Sequence, residues 1–272
     1  MRPSSRSIFA LVLALLLAAM PLAVLAQSTP MASPAMGTLT PLVTGLTNPR
    51  GFTWGPDGTL YIALGGSGGA TAATAGGTPV PLLMGNSASV IAVKSDGCRS
   101  TVASGLPSYI FTQEGWIWGA MDVAMLNGDL YVLSGGGGVG LDQPTKPNGV
   151  YKINSDGSTT LLADLSTWFV AHPPKFVAPD YDPSGSLFAM IAGKDGFWVS
   201  EAVGGRVMKV GLDGSITLVA DVSTQHPVPT GLAPAPDGGV YLGFETAAPF
   251  TDGGSKVIEI HADGSGTGYW TG

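Results

Sequence analysis

The sequence predicts an all-β fold of four-stranded antiparallel sheets repeated along the chain. Three observations predict it: a composition rich in turn formers and poor in charge, hairpins closed by Asp-Gly or Asn-Gly, and a strict alternation of two kinds of hairpin. The 272 residues include 41 glycines and 21 prolines, together about twice average usage. Charged residues make up 11% of the chain, less than half the usual ~25%. That excludes a helical bundle, whose exposed faces need many Lys and Glu. A disordered chain is excluded as well, because 44% of the residues are apolar. The glycines show no period of three, so the chain is not collagen-like.

The first kind of hairpin is a short strand, a tight Gly turn and a second strand. It runs through GFTWGPDGTLYIA (51–63), DVAMLNGDLYVL (122–133), the degenerate FAMIAGKDGFWVS (188–200) and GLAPAPDGGVYLG (231–243). The second kind carries Asp-Gly at its centre: SVIAVKSDGCRSTVA (89–103), GVYKINSDGSTTLLA (149–163), RVMKVGLDGSITLVA (206–220) and KVIEIHADGSGTGYW (256–270). Glycine supplies the positive φ that tight antiparallel turns require, and the flanking runs are β-branched and aromatic. One hairpin of each kind makes a four-stranded meander, with strands a, b, c and d. Four meanders follow one another, at about 49–103, 119–163, 186–220 and 229–271. Four-stranded sheets repeated in this way predict a β-propeller, with strand a innermost. A segment before the first meander, Thr38–Thr44 (TLTPLVT), reads as a lone strand.

The alternation also assigns the connections to faces. The a–b and c–d turns share one face and are all tight. The b–c and d–a connections share the other and hold the long insertions: Leu64–Ala88, Ser104–Trp118, Ser134–Asn148, Asp164–Gly185 and Phe244–Ser255. Long connections gathered on one side of a rigid scaffold are where binding or catalysis usually sits.

At the N-terminus, Arg2 and Arg6 precede an apolar run from Ile8 to Met20, and Val24-Leu25-Ala26 offers small residues for cleavage. This reads as a signal peptide over 1–26, cleaved near Ala26, followed by a flexible leader over 27–37 and a propeller domain over 38–272. The protein is expected to be secreted, extracellular or periplasmic, without a stable membrane anchor after cleavage. The net charge is −7, and removal of Arg2 and Arg6 makes the remainder more acidic by two. Nucleic acid is therefore a poor partner. Cys98 is the single cysteine, so no internal disulfide forms.

Candidate site residues follow from these placements. Arg50 and Thr230 stand just before the body of strand a, at the expected mouth of the central channel. Asp122 occupies the position of Gly51 and Gly231 at the same mouth. Trp116 and Trp118, in QEGWIWG, offer aromatic contact surface on the long-connection face. Glu201 follows strand b of the third meander, placed either to contact a ligand or to pair Arg206 and cap loop N–H groups. An alternative acid–base or metal set is His172, His226 and Glu114, joined by Asp180, Asp182 or Glu201, although the spacing matches no ligand motif. His261 lies beside a tight turn and reads as solvated. Gly65–Gly77 and Gly135–Gly138 lack the Lys-Ser/Thr of a phosphate loop and read as flexible.

The segments TNPRGFTWGPDGTLYIALGG (47–66), VASGLPS (102–108), PNGVYKINSDGSTTLLADLSTW (147–168), VPTGLAPAPDGGVYLG (228–243) and APFTDGGSKVIEI (248–260) resemble the ScyD/ScyE family of secreted propeller proteins. The resemblance covers essentially all of the chain after the leader, in the family's order. It implies a six-bladed, NHL-like fold, so that about four blades are present here and two are expected to be missing. No established catalytic residues carry over from it. One departure is that the family's acid after YVG is displaced to Glu245, which in a strand turns it to the other face. The function expected is binding of a small molecule or protein on the long-connection face, with no cofactor. The alternative is an enzyme like gluconolactonase or streptogramin lyase, using a divalent metal such as Ca2+ or a His/Glu pair at the channel mouth.

Overall fold

The computed structural model describes residues 39–75, 78–141 and 145–271. The expected signal peptide and leader lie outside the described residues. Val43–Gly272 forms one compact unit. Its described residues build four antiparallel sheets.

Sheet 1 contains β1 (Pro49–Trp54), β2 (Leu60–Leu64), β3 (Thr71–Ala75), β4 (Thr78–Val93), β5 (Arg99–Phe111) and β6 (Ile117–Trp118), in the order β1-β2-β4-β5-β6 with β3 paired to β4. Sheet 2 holds β7 (Ala120–Leu126), β8 (Asp129–Ser134), β9 (Gly149–Ile153) and β10 (Thr159–Asp164). Sheet 3 holds β11 (Leu187–Ala192), β12 (Gly196–Glu201), β13 (Arg206–Gly211) and β14 (Ile216–Asp221). Sheet 4 holds β15 (Pro229–Pro234), β16 (Val240–Phe244), β17 (Lys256–Ile260) and β18 (Gly266–Thr271). Sheets 2 to 4 are four-stranded meanders. Between β10 and β11 runs one short helix, α1 (Leu165–Ala171), whose N-terminus is capped by Asp164 accepting the Thr167 N–H.

The Asp-Gly turns form by a divided use of the two residues. In β9–β10, the Asn154 N–H donates to Ser158 O at 2.8 Å and the Gly157 N–H donates to Asn154 O at 2.9 Å. Gly157 takes φ +84°. The Asp156 carboxylate accepts the Ser158 N–H at 2.9 Å. Asp96, Asp213 and Asp263 repeat this contact two residues on. Thus Gly bends the chain and Asp ties down the residue after it. Asn127-Gly128 differs, with φ of 54° and 85° and Leu126 paired to Asp129, a two-residue turn.

The repeat extends to irregularities that sequence patterning does not show. Every innermost strand carries a bulge near its start: between Pro49 and Phe52, Ala120 and Asp122, Leu187 and Met190, and Pro229 and Gly231. Each bulge turns one extra residue out of the ladder and increases the local twist. The innermost strands then pack in succession, β1 on β7, β7 on β11 and β11 on β15. Successive four-stranded sheets ranked by their first strands are the architecture of a β-propeller.

Core packing lies between the sheets. Each sheet has a forward face, toward the next sheet in the chain, and a rear face. Ala63 and Val90 on the forward face of sheet 1 meet Val123, Val132 and Ile153 on the rear of sheet 2. Tyr131 and Leu133 on the forward face of sheet 2 meet Phe197, Val199 and Met208 on the rear of sheet 3. Trp198 and Val207 then meet Val240, Leu242 and Ile260 of sheet 4. An aromatic residue stands at the second or third position of strand b in every sheet: Tyr61, Tyr131, Trp198 and Tyr241.

Three expectations need correction. Residues 39–44 form no strand. Pro41 withholds an N–H there, Gly45 turns the chain at φ +69°, and Val43 and Leu46 pack on the rear face of sheet 1 instead. The segments 64–88 and 104–118 are not simple loops, because β3, β6 and the long arms of β4 and β5 extend sheet 1. The Gly-rich runs are not merely flexible. Gly135–Gly138 are buried, and a Cβ on Gly136 would lie 2.2 Å from Pro107 O. A Cβ on Gly69 would lie 2.2 Å from Met84 O. Glycine is needed at both places because two backbones touch.

Candidate functional site

The four innermost strands border an open pocket of about 360 Å³. Its wall includes Arg50 and Phe52 from β1, Asp122 and Met125 from β7, Met190 and Ile191 from β11, and Leu232 from β15. Two predicted residues, Arg50 and Asp122, therefore line one pocket, among side chains that are mostly apolar.

Asp122 sits at the β7 bulge, and the bulge re-aims its side chain between neighbouring sheets. One carboxylate oxygen accepts the Met190 N–H at 2.8 Å and the other accepts the Val123 N–H at 2.8 Å. A Cβ on Gly51 would fall 1.7 Å from Asp122 Oδ1, so glycine in β1 makes room for this carboxyl. Asp122 thus ties sheet 2 to sheet 3 while filling space beside sheet 1. Burial pushes its carboxyl up to about 7, against the pull of the two N–H groups. The folded protein then holds this proton more tightly than the unfolded chain. The resulting stability is full below the ordinary value of 3.8 and is lost as pH rises to about 7. Asp122→Asn should flatten that slope. Urea midpoints measured across the acid-to-neutral range will show it, and an unchanged slope would remove Asp122 as its source.

Arg50 is half-buried and donates from Nη2 to the Ile117 carbonyl, while its Nε is buried without a partner. Burial lowers its pKa. Trp118, next to Ile117, stacks on Tyr109 with centroids 5.8 Å apart and meets Phe111 edge-on at 5.9 Å. Its indole Nε1 is buried without a partner. Trp116 is half-exposed beside it, and Glu114 is exposed in the same β5–β6 turn. Thr230 is half-buried on β15, outside the pocket wall.

Glu201 lies in a separate network. Its carboxylate accepts Arg206 Nε–H at 3.0 Å, the Gly204 N–H at 2.8 Å and the Ser186 N–H at 3.2 Å, and the two side chains are 0% and 1% exposed. Arg206 also donates to His172 O at 2.6 Å and to the Tyr181 hydroxyl at 3.3 Å, and lies 4.2 Å over the Phe169 ring. Sequence reasoning foresaw the Glu201–Arg206 pairing but not Tyr181 and Phe169, which come from the β10–β11 connection. The network fastens α1 and that connection to sheet 3.

The histidines separate. His172 places Nδ1 2.8 Å from Trp168 O and stacks on the Trp168 ring. His226 Nε2 lies 3.4 Å from Asp180 Oδ1 but makes no hydrogen bond to it. It sits in a constrained turn, where Gln225, His226 and Val228 have φ of 69°, 52° and 53°. A β-branched Val in that region is strained, and such strain collects at functional positions. His261 is held by Asp237, with Nδ1 2.7 Å from Oδ2, and this hydrogen bond raises the imidazole pKa. Asp237, Glu259 and His261 offer ligand atoms within 4.8 Å of one another on the tight-turn face. That is the face opposite the one where a metal was expected.

The sheets and inner strands define a β-propeller with a small, open central pocket bearing one acid and one arginine. No protein-family model matches the sequence, and no curated protein matches it. Solved structures similar to this chain include selenomethionine-substituted virginiamycin B lyase from Staphylococcus aureus, at 14% identity over 82% of this chain and 70% of that one, with a TM-score of 0.41. A luciferin-regenerating enzyme is similar at 16% identity over 82% of this chain, with a TM-score of 0.48. This chain spans 64% of that enzyme's length. Regucalcin, a calcium-binding protein from Agrobacterium tumefaciens strain C58, is similar at 11% identity over 82% and 74% of the two chains, with a TM-score of 0.35.

Proposed function

We propose that this chain is an exported, non-catalytic β-propeller of the ScyD/ScyE kind that binds a small molecule at the central pocket. The observation that carries this reading is that Asp122 and Arg50 line one pocket together with apolar side chains such as Phe52, Met125, Met190 and Leu232. A few placed polar groups in an apolar concavity are the usual makings of a ligand site. Near neutral pH Asp122 is partly protonated, so it can donate as well as accept. The ligand class that fits has an apolar body with a carbonyl or hydroxyl group. Export is supported by the Arg2/Arg6 pair, the apolar run and the small residues ending at Ala26.

The test is a thermal-shift and calorimetric screen of lactones, sugar acids and aromatic amides. A hit should bind about tenfold more weakly, ~1.4 kcal/mol, to Arg50→Gln. Hits that bind this variant as well as the parent would place the ligand elsewhere. A second reading, a lactonase- or lyase-like enzyme, rests on His226, held in a strained turn 3.4 Å from Asp180. It requires turnover in the same lactones, with Ca2+ added, that His226→Ala abolishes. Absence of turnover would remove it.

A further inference from the structure

Sheet 4 brings three metal-ligating side chains together on the tight-turn face. Asp237 lies in the β15–β16 turn, Glu259 on β17 and His261 just beyond the end of β17. Glu259 and His261 are two residues apart, so the strand period puts them on one side of the sheet. Asp237, Glu259 and His261 each offer a ligand atom within 4.8 Å of the others. Ions of the zinc class are held by imidazole nitrogen and carboxylate oxygen at about 2.0–2.2 Å, which sets neighbouring donor atoms about 3–4 Å apart. Small side-chain rotations therefore close the three groups on one ion. Among the described residues no other trio of His, Cys, Asp or Glu stands so close.

The repeat supplies an independent observation. Glu259 stands opposite Tyr241, and the same register sets Lys152 opposite Tyr131 and Lys209 opposite Trp198. Lys152 pairs with Asp129 at 2.6 Å. In sheet 1 the counterpart of His261 is Lys94, whose N–H donates to Cys98 O as that of His261 donates to Ser265 O. Lys94 acts on Asp57, the counterpart of Asp237. Each of sheets 1 to 3 thus carries a lysine at one of the two positions, whereas sheet 4 carries a carboxylate and an imidazole. With His261 neutral, the two carboxylates leave a charge that a divalent ion balances. Lys209 of sheet 3 approaches Ala262 O at 3.4 Å, but its ammonium lies 4.2 Å over the Trp198 ring. It makes no ion pair with the trio among the described residues.

We propose that Asp237, Glu259 and His261 form a surface site for one divalent transition-metal ion of the zinc class. The ion takes the place of the hydrogen between His261 Nδ1 and Asp237 Oδ2, which lie 2.7 Å apart, and Nε2 keeps the remaining ring hydrogen. Asp237 Oδ1 stays on the Gly239 N–H at 2.8 Å, which fixes the direction of the carboxylate. Water completes the coordination. The imidazole ligand favours such an ion over Ca2+, which takes about six to eight oxygen ligands. The trio shares no residue with the central pocket, so this site stands apart from the ligand site proposed there.

Calorimetric titration of Zn2+ into the untagged protein, stripped with EDTA and dialysed, tests this. The expected result is one ion per chain, bound in the micromolar range. His261→Ala should weaken binding by about tenfold or more. Glu259→Lys, which installs the lysine of sheets 2 and 3, should abolish it. Circular dichroism checks that both variants fold, and Glu259→Gln replaces Glu259→Lys if the latter does not. His172→Ala, on the β10–β11 connection, should bind as the parent does. Three outcomes overturn the proposal: no saturable Zn2+ binding, binding unchanged by the His261 and Glu259 substitutions, or an equal loss in His172→Ala.

Discussion

Replacing Arg206 with methionine should destabilise the fold by about 3–5 kcal/mol, the cost of leaving a buried carboxylate without its counter-charge. The Glu201 oxygens would retain the Gly204 and Ser186 N–H groups but lose the one cation that balances them. Burial already pushes the Glu201 carboxyl up, with Arg206 pulling it back down. Arg206 also packs on Phe169 and holds the His172 carbonyl, so its loss releases the end of α1 as well. The double replacement Glu201→Met with Arg206→Met should cost less than either single change, because an apolar pair leaves no charge stranded. Urea unfolding of the two single variants and the double variant measures this. Single variants within about 1 kcal/mol of the parent would show that the pair behaves like an exposed one.

Gly136→Ala should cost about 1–3 kcal/mol by overpacking. The added methyl would fall 2.2 Å from Pro107 O and 3.0 Å from Gly119 Cα, and neither backbone can swing aside as a side chain would. Gly136 is not among the positive-φ glycines, so the expected loss is steric and not conformational. Gly231→Ala is the control. Its methyl meets nothing within 4 Å, and stability should stay within about 0.5 kcal/mol of the parent. Equal losses at the two positions would contradict the close backbone contact at Gly136.

The hairpins were legible because each is decided by neighbours along the chain. Asp213-Gly214-Ser215 carries its own bend and its own carboxylate acceptor. The period of two in Val240-Tyr241-Leu242 marks which side chains face inward. The same logic assigned β1 and β15 to the centre, and it brought Arg50 and Asp122 to one mouth. It failed at 64–88, where glycine-rich sequence hid strands, and at 104–118, because the pairing there comes from the long arms of β4 and β5. It also read Gly135–Gly138 as freedom, when those residues mark contact.

Sequence alone determined the all-β class, the alternation of hairpins and the sharing of long connections by one face. These depend on local turn geometry and on side-chain period, which any stretch of chain carries with it. Tertiary structure alone decided that Asp122 spans two sheets with its carboxyl raised to about 7, that Glu201 and Arg206 are fully buried together, and that Gly51 and Gly231 differ in surroundings. Burial and electrostatic environment are set by atoms that residues far apart in the chain bring to the same place, and no local pattern encodes that meeting.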